Sequence, residues 1–151
     1  MKALPHFTLL LISSLLAGCG ATGAKFSEIK SPPSSTGAIY VYRLSNFVAG
    51  ASAPILVIDG KEVANLRNGG YIRRELAPGH HVVELKNGGI DSSKRPVAVD
   101  VVVQPGTAQF FRYTIEMLDG GMYEKNRFAR SLDMVEREIA QIELKQTSES
   151  E

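Results

Sequence analysis

The 151-residue chain has no tryptophan and a single cysteine, Cys19. With aromatics at 7% and no tryptophan, any flat ring surface for a sugar must be built from tyrosines such as Tyr40, Tyr42 or Tyr71. One cysteine rules out a disulfide within the chain. Once that thiol is committed elsewhere, a thiolate nucleophile and a Cys-based metal site are excluded too. An excess of one charge is also missing. The 17 basic residues face 16 acidic ones, which leaves little to meet the phosphates of a nucleic acid. The N-terminal apolar run, Phe7 to Leu16 (FTLLLISSLL), is too short to cross a bilayer. What remains is 44% apolar and 22% charged, an ordinary globular balance in a chain of single-domain length.

The run is preceded by Lys2 and ends in Leu16-Ala17-Gly18-Cys19. A basic start, a short apolar core and two small residues are the parts of a secretory signal peptide. Followed directly by cysteine, they resemble the bacterial lipobox, in which small residues let the peptidase reach the backbone. The resemblance implies that residues 1–18 are removed and that Cys19 carries acyl chains, palmitate among them. Cleavage there removes Lys2 alone among the charged residues, leaving equal numbers of basic and acidic groups. Attachment would then rest on acyl chains rather than on a basic patch, at about 0.8 kcal/mol per buried methylene. Gly20 follows the cysteine; in systems this signal resembles, aspartate there favours the inner membrane, so glycine points to the outer one.

Residues 19–36, the lipidated cysteine and GATGAKFSEIKSPPSST, are rich in Gly, Ser and Pro without a period. They are expected to form a flexible linker, reaching on the order of 20–25 Å as a coil. Residues 37–117 read as β. Ala38–Arg43 (AIYVYR) is β-branched and aromatic. Pro54–Ile58 and Lys61–Leu66 flank Asp59-Gly60, the signature of a two-residue type I′ hairpin turn. Tyr71–Leu76, His80–Lys86, Val97–Val103 and Gln109–Met117 follow, separated by Gly- and Pro-bearing turns. Alternation places Val83 and Leu85 on one face with His81, opposite Val82 and Glu84. The same rule groups Val97, Val99, Val101 and Val103, and also Phe111, Tyr113, Ile115 and Met117. About seven short strands at close spacing predict a mainly β protein, an antiparallel sandwich or partly open barrel, with a single antiparallel β-sandwich the reading adopted.

Ile58-Asp59-Gly60-Lys61 and the stretch Leu76-Ala77-Pro78-Gly79-His80-His81-Val82-Val83-Glu84-Leu85 resemble the PEGA-type β-domain and a group of short bacterial lipoproteins of unknown function built on it. The opening Ala38–Arg43 is similar to that group as well. The resemblance implies a PEGA/Ig-like sandwich at the cell envelope. Its motifs are turns and core positions, so it brings no catalytic residues with it.

Residues 118–145 read as a connector and a C-terminal amphipathic helix. Phe128, Leu132, Val135, Ile139 and Ile142 recur at four-three spacing, with Ser131 as a candidate N-cap. This stripe is the candidate interaction surface, docking on its own sheet or on another helix. Residues 146–151 (QTSESE) read as a disordered polar tail.

The chemistry is sparse. His80 and His81 are strand neighbours and point to opposite faces, so they are a poor metal pair. Ser92 and Ser93 lack a nucleophile elbow. Arg73-Arg74 and Lys94-Arg95 are short basic pairs that could at most meet an anion. No metal, cofactor or catalytic residue is expected, and the chain is not expected to be an enzyme. The expectation is a lipid-anchored module of the bacterial envelope, outer membrane favoured, that binds or supports another envelope protein or itself. The alternative is a binder, or weak hydrolase, of cell-wall carbohydrate.

Overall fold

The computed structural model describes residues 20–87, 95–118 and 127–150. The signal segment, Cys19, Ser92, Ser93, Lys94 and the Asp119-Gly120-Gly121 connector lie outside the described residues. Among those described, nine strands run in chain order: β1 (Gly37–Tyr42), β2 (Ile55–Ile58), β3 (Lys61–Asn65), β4 (Gly70–Leu76), β5 (Gly79–Lys86), β6 (Val97–Val103), β7 (Ala108–Leu118), β8 (Arg127–Val135) and β9 (Ser148–Glu149). One helix, α1 (Arg137–Leu144), lies between β8 and β9. They form a five-stranded sheet, β8-β7-β1-β4-β9, and a four-stranded sheet, β3-β2-β5-β6.

The two sheets face each other across one apolar layer. Ile39 and Val41 of β1, Ile72 of β4, and Phe111, Tyr113 and Ile115 of β7 meet Leu56, Ile58, Val83, Leu85, Val101 and Val103 of the smaller sheet. Alternation thus holds along β5 and over Phe111, Tyr113 and Ile115 of β7, but Met117, grouped with them, is exposed where β7 runs on past the end of β1. Val83 and Leu85 are buried, Val82 is exposed, and Val97 and Val99 pack against the core. Asp59 and Gly60 both take positive φ, 50° and 78°, as the type I′ turn demands.

All six residues of β1 are buried, because the large sheet is covered on both faces. Its outer face carries Ala38, Tyr40, Tyr42 and Phe110, and onto these pack Phe26 from the N-terminal segment and Ala140 and Leu144 from α1. A central strand covered on both sides reads as a continuous apolar run rather than an alternating one.

Four expectations are corrected. The sandwich is not purely antiparallel, since β1 pairs in parallel with β7 and β4 with β9. Residues 127–135 are not helix but strand, paired with β7 from Phe110↔Val135 to Leu118↔Arg127. The four-residue step from Phe128 to Leu132 fits a strand as well as a helix, and an eleven-residue β7 offers backbone partners that a local helix would leave unused. The helix begins only after Glu136, which gives it no side-chain cap; Ser131 instead donates to Asp133.

The remaining two corrections concern the ends. The expected linker is packed: Phe26 is buried and meets Tyr40 and Tyr71 edge-on, at 6.3 and 5.5 Å. The Lys30 N–H donates to the Tyr40 hydroxyl at 2.9 Å. Of the expected disordered tail, residues 146–150 are described: Thr147, Ser148 and Ser150 are buried, and Ser148–Glu149 is the short strand β9. It lies between β4 and the N-terminal segment. Ser148 and Ser150 donate to Gly69 and Tyr71, while Gly23 and Phe26 donate to Glu149 and Thr147. Gly70 leaves room for the Ser150 hydroxyl, which a Cβ there would meet at 2.1 Å.

Candidate anchor rim and binding surfaces

The predicted lipid attachment point lies one residue before the described fold. Gly20 forms a β-bridge with Asn68, and the Ala21 N–H donates to the Asn68 carbonyl at 3.0 Å. Asn68 sits just before β4, at the end of the sandwich where Tyr42 pairs with Tyr71. The turns Asp59-Gly60, Ala77-Pro78 and Pro105-Gly106 lie at the other end, near the Gly37↔Leu76 and Gly79↔Val103 pairs.

Asn68 also organises the loop after β1. Its Oδ1 accepts from the Asn46 N–H at 3.0 Å, and Asn46 Nδ2 reaches the Ile115 carbonyl. Beneath the loop Arg43 is buried, its guanidinium donating to the carbonyls of Ser52 (2.7 Å) and Ala49 (3.3 Å). Burial lowers the Arg43 pKa from its ordinary value, as expected of a cation withdrawn from water. A cleft of about 500 Å³ runs from this loop to β7 and β8, lined by Arg43, Asn46, Arg112, Glu116, Ser131 and Asp133 among others. Its lining includes two arginines and two acidic residues, which suits polar recognition rather than an apolar ligand.

The predicted interaction stripe does not form one surface. Leu132 is in the core between the sheets and Val135 packs with the outer-face cluster. Phe128, Ile139 and Ile142 are 41%, 49% and 66% exposed. The tyrosine platform does not form either. Tyr40 and Tyr42 are fully buried and cannot stack on a sugar, which leaves the half-buried Tyr71. Tyr42 donates to Glu143 Oε2, and Arg112 Nη1 donates to Glu143 Oε1 at 2.6 Å. Burial first, then this carboxylate, raises the Tyr42 pKa well above its ordinary value. Glu143 thereby ties α1 to the sheet. Arg73 donates to Glu75 at 2.7 Å and lies over the Tyr40 ring, and Arg74 donates to the Arg73 carbonyl.

His80 is exposed, whereas His81 is built into the far end. Its Nδ1 faces Asp59 Oδ2 at 2.7 Å and its Nε2 faces the Ala77 carbonyl at 2.8 Å. Both partners accept, so both are satisfied only when the ring carries two protons. The Asp59 bond first, and the Ala77 bond second, raise the His81 pKa. The Asp59 carboxyl is held below its ordinary value by the Val82 N–H and then by His81. Sequence reasoning placed Asp59 in a turn and His81 on a strand and did not join them; the pairing needs the β2–β5 register that brings Ile58 beside Val83.

Linkage fixes the sign of the pH effect. A raised histidine pKa stabilises the fold fully below 6.5 and loses that contribution as pH rises through the folded value. A depressed Asp59 adds stability that is lost as pH falls through its folded value, below 3.8. The pair therefore works best between those limits. His81→Ala is expected to destabilise the domain by about 1 kcal/mol at about pH 5.5 and by less at about pH 9. Urea melts of both proteins at the two pH values check this; a deficit that grows with pH would refute it.

Among the described residues, no group of three or more His, Cys, Asp or Glu side chains comes together as a metal site, and no helix is long and apolar enough to cross a membrane. The molecule is a two-sheet β-sandwich with a helix and the N-terminal segment on one outer face. A family model described as a protein of unknown function, DUF2846, matches residues 33–125. The chain belongs to that family. A search of curated proteins gives no match.

Proposed function

We propose that this chain is a lipid-anchored, non-catalytic binding or structural module of the bacterial envelope, held by acyl chains on Cys19. The observation that carries the reading is the sequence Leu16-Ala17-Gly18-Cys19 after a ten-residue apolar run, with a folded domain that begins one residue later at the Gly20–Asn68 bridge. No spacer separates the two, so the domain rests on the bilayer instead of ranging 20–25 Å from it as a free linker would allow. The PEGA-like turns at Asp59-Gly60 and Ala77-Pro78-Gly79 then point away from the membrane. With Val102 and the outer face of β5 and β6, they form the end that another envelope protein or a second copy would meet. Gly20 after the cysteine favours the outer membrane.

Labelled palmitate tests the anchor. The full chain is expected to take up label and be processed, while Cys19→Ser accumulates as an unlabelled precursor. Equal labelling of the two proteins would refute the lipid anchor.

A further inference from the structure

Phe47 is fully exposed, at 101% of its reference area, yet it does not sit on a loose loop. The Gly50 N–H donates to the Phe47 carbonyl, the Ser52 N–H to Ala49, and the Val48 N–H to Asn46 Oδ1. Buried Arg43 grips the loop from below through Ser52 and Ala49. A single exposed ring is ordinary on a protein surface, whereas a group of them in one place marks a contact site. The meaning of Phe47 therefore lies in where it sits and what surrounds it. Asn68 holds the Phe47 loop through its side chain and the Ala21 backbone through its carbonyl. The ring is thus presented at the same end of the sandwich where Gly20 joins Cys19.

Other apolar groups gather at that end. β1 stops at Tyr42, opposite Arg112, while β7 continues to Leu118, paired there with β8. The projecting part carries Met117, Leu118 and Phe128, exposed by 51%, 49% and 41%. The far end carries the Asp59–His81 pair beside the exposed Val82 and Val102, with no exposed phenylalanine or tyrosine ring among its described residues.

We infer that this end of the domain is a second membrane contact, with Phe47 inserted at the boundary between headgroups and acyl chains of the bilayer that holds Cys19. The inference rests on the anchor reading and adds an orientation to it. Acyl chains alone would let the domain swivel about Cys19. An apolar ring fixed beside the anchor sets one face down, and a preformed loop loses little freedom on insertion. The cleft lined by Arg43, Asn46, Arg112 and Asp133 then opens at the membrane surface, and the turns face outward.

The lack of native tryptophan makes the test direct. Phe47→Trp and, at the far end, Val102→Trp each introduce one reporter at an exposed position. Full-length protein is labelled with palmitate in cells, purified and reconstituted into phosphatidylcholine–phosphatidylglycerol vesicles containing brominated acyl chains. The indole at 47 is expected to emit at shorter wavelength and to be quenched several-fold more by bromine than the indole at 102, with iodide in the buffer showing the reverse. If palmitate is present but both indoles are quenched equally by iodide and spared by bromine, the membrane contact is refuted and the anchor stands. If palmitate is absent from the wild-type chain, the anchor reading fails and the orientation falls with it.

Discussion

Val83→Asp is expected to leave no cooperatively folded domain. Val83 is fully buried and lies on β5, between β2 and β6 in the smaller sheet. Its neighbours across the ladders are Ile58 and Val99, which offer nothing to a carboxylate. Burying that charge unpaired costs several kcal/mol, a large share of the roughly 5–15 kcal/mol that holds a domain of this size. Val82→Thr, one residue along on the exposed face, should shift stability by no more than about 0.5 kcal/mol. Circular-dichroism melts of the two variants separate them. A normal transition for Val83→Asp would mean that the β5 register is wrong by one residue.

Removal of everything after Glu136 is the second large effect. Two kinds of support go together. Ala140 and Leu144 leave the outer face of the large sheet, uncovering Tyr40, Tyr42 and Phe110. Leu144 alone is worth about 1.5–3 kcal/mol of burial. Glu143 is lost with them, and so are its hydrogen bonds from the Tyr42 hydroxyl and Arg112, a net loss of about 1–3 kcal/mol for the two together. The backbone bonds of residues 147–150 with Gly69, Tyr71, Ala24 and Phe26 also go. The melting temperature is expected to fall by more than about 10 °C. An unchanged melt would show that α1 and β9 do not dock on their own domain.

The parts of this fold that were legible share a physical cause. Asp59-Gly60 could be placed because a type I′ turn needs positive φ twice, and few other pairs supply it. Val83 and Leu85 could be assigned to the core because a half-covered sheet forces period-two alternation. The C-terminal half failed where local pattern is degenerate. Phe128 and Leu132 are four apart, which puts them on one face of a strand or of a helix, and only the free edge of β7 decides between these. Val135 then falls on the other face from Leu132, where the strand needs it.

Composition misled at both ends for a different reason. QTSESE and the Gly/Ser/Pro segment carry few apolar side chains, so they score as disordered. Their order comes from backbone bonds, from small residues that allow close approach, as at Gly70 and Ser150, and from the single buried ring of Phe26; none of these makes a periodic apolar pattern. The candidate surface suffered similarly. Five apolar residues on one line became two core positions and three exposed ones, while Phe47, a single ring in an irregular loop, carried no periodic signal at all.

The pairing of residues 23–26 with 147–149 has a kinetic consequence. The segment next to the attachment point is among the first to be made and among the last to find its place, because its partner strand arrives only when nearly all the described chain has been delivered. Closing so long a loop adds little to the equilibrium cost, since that grows only with the logarithm of length, but it delays completion. Throughout that interval Phe26 and the tyrosines it covers stay bare. The time between emergence and closure is when this protein is most open to capture by proteases or by other unfolded chains.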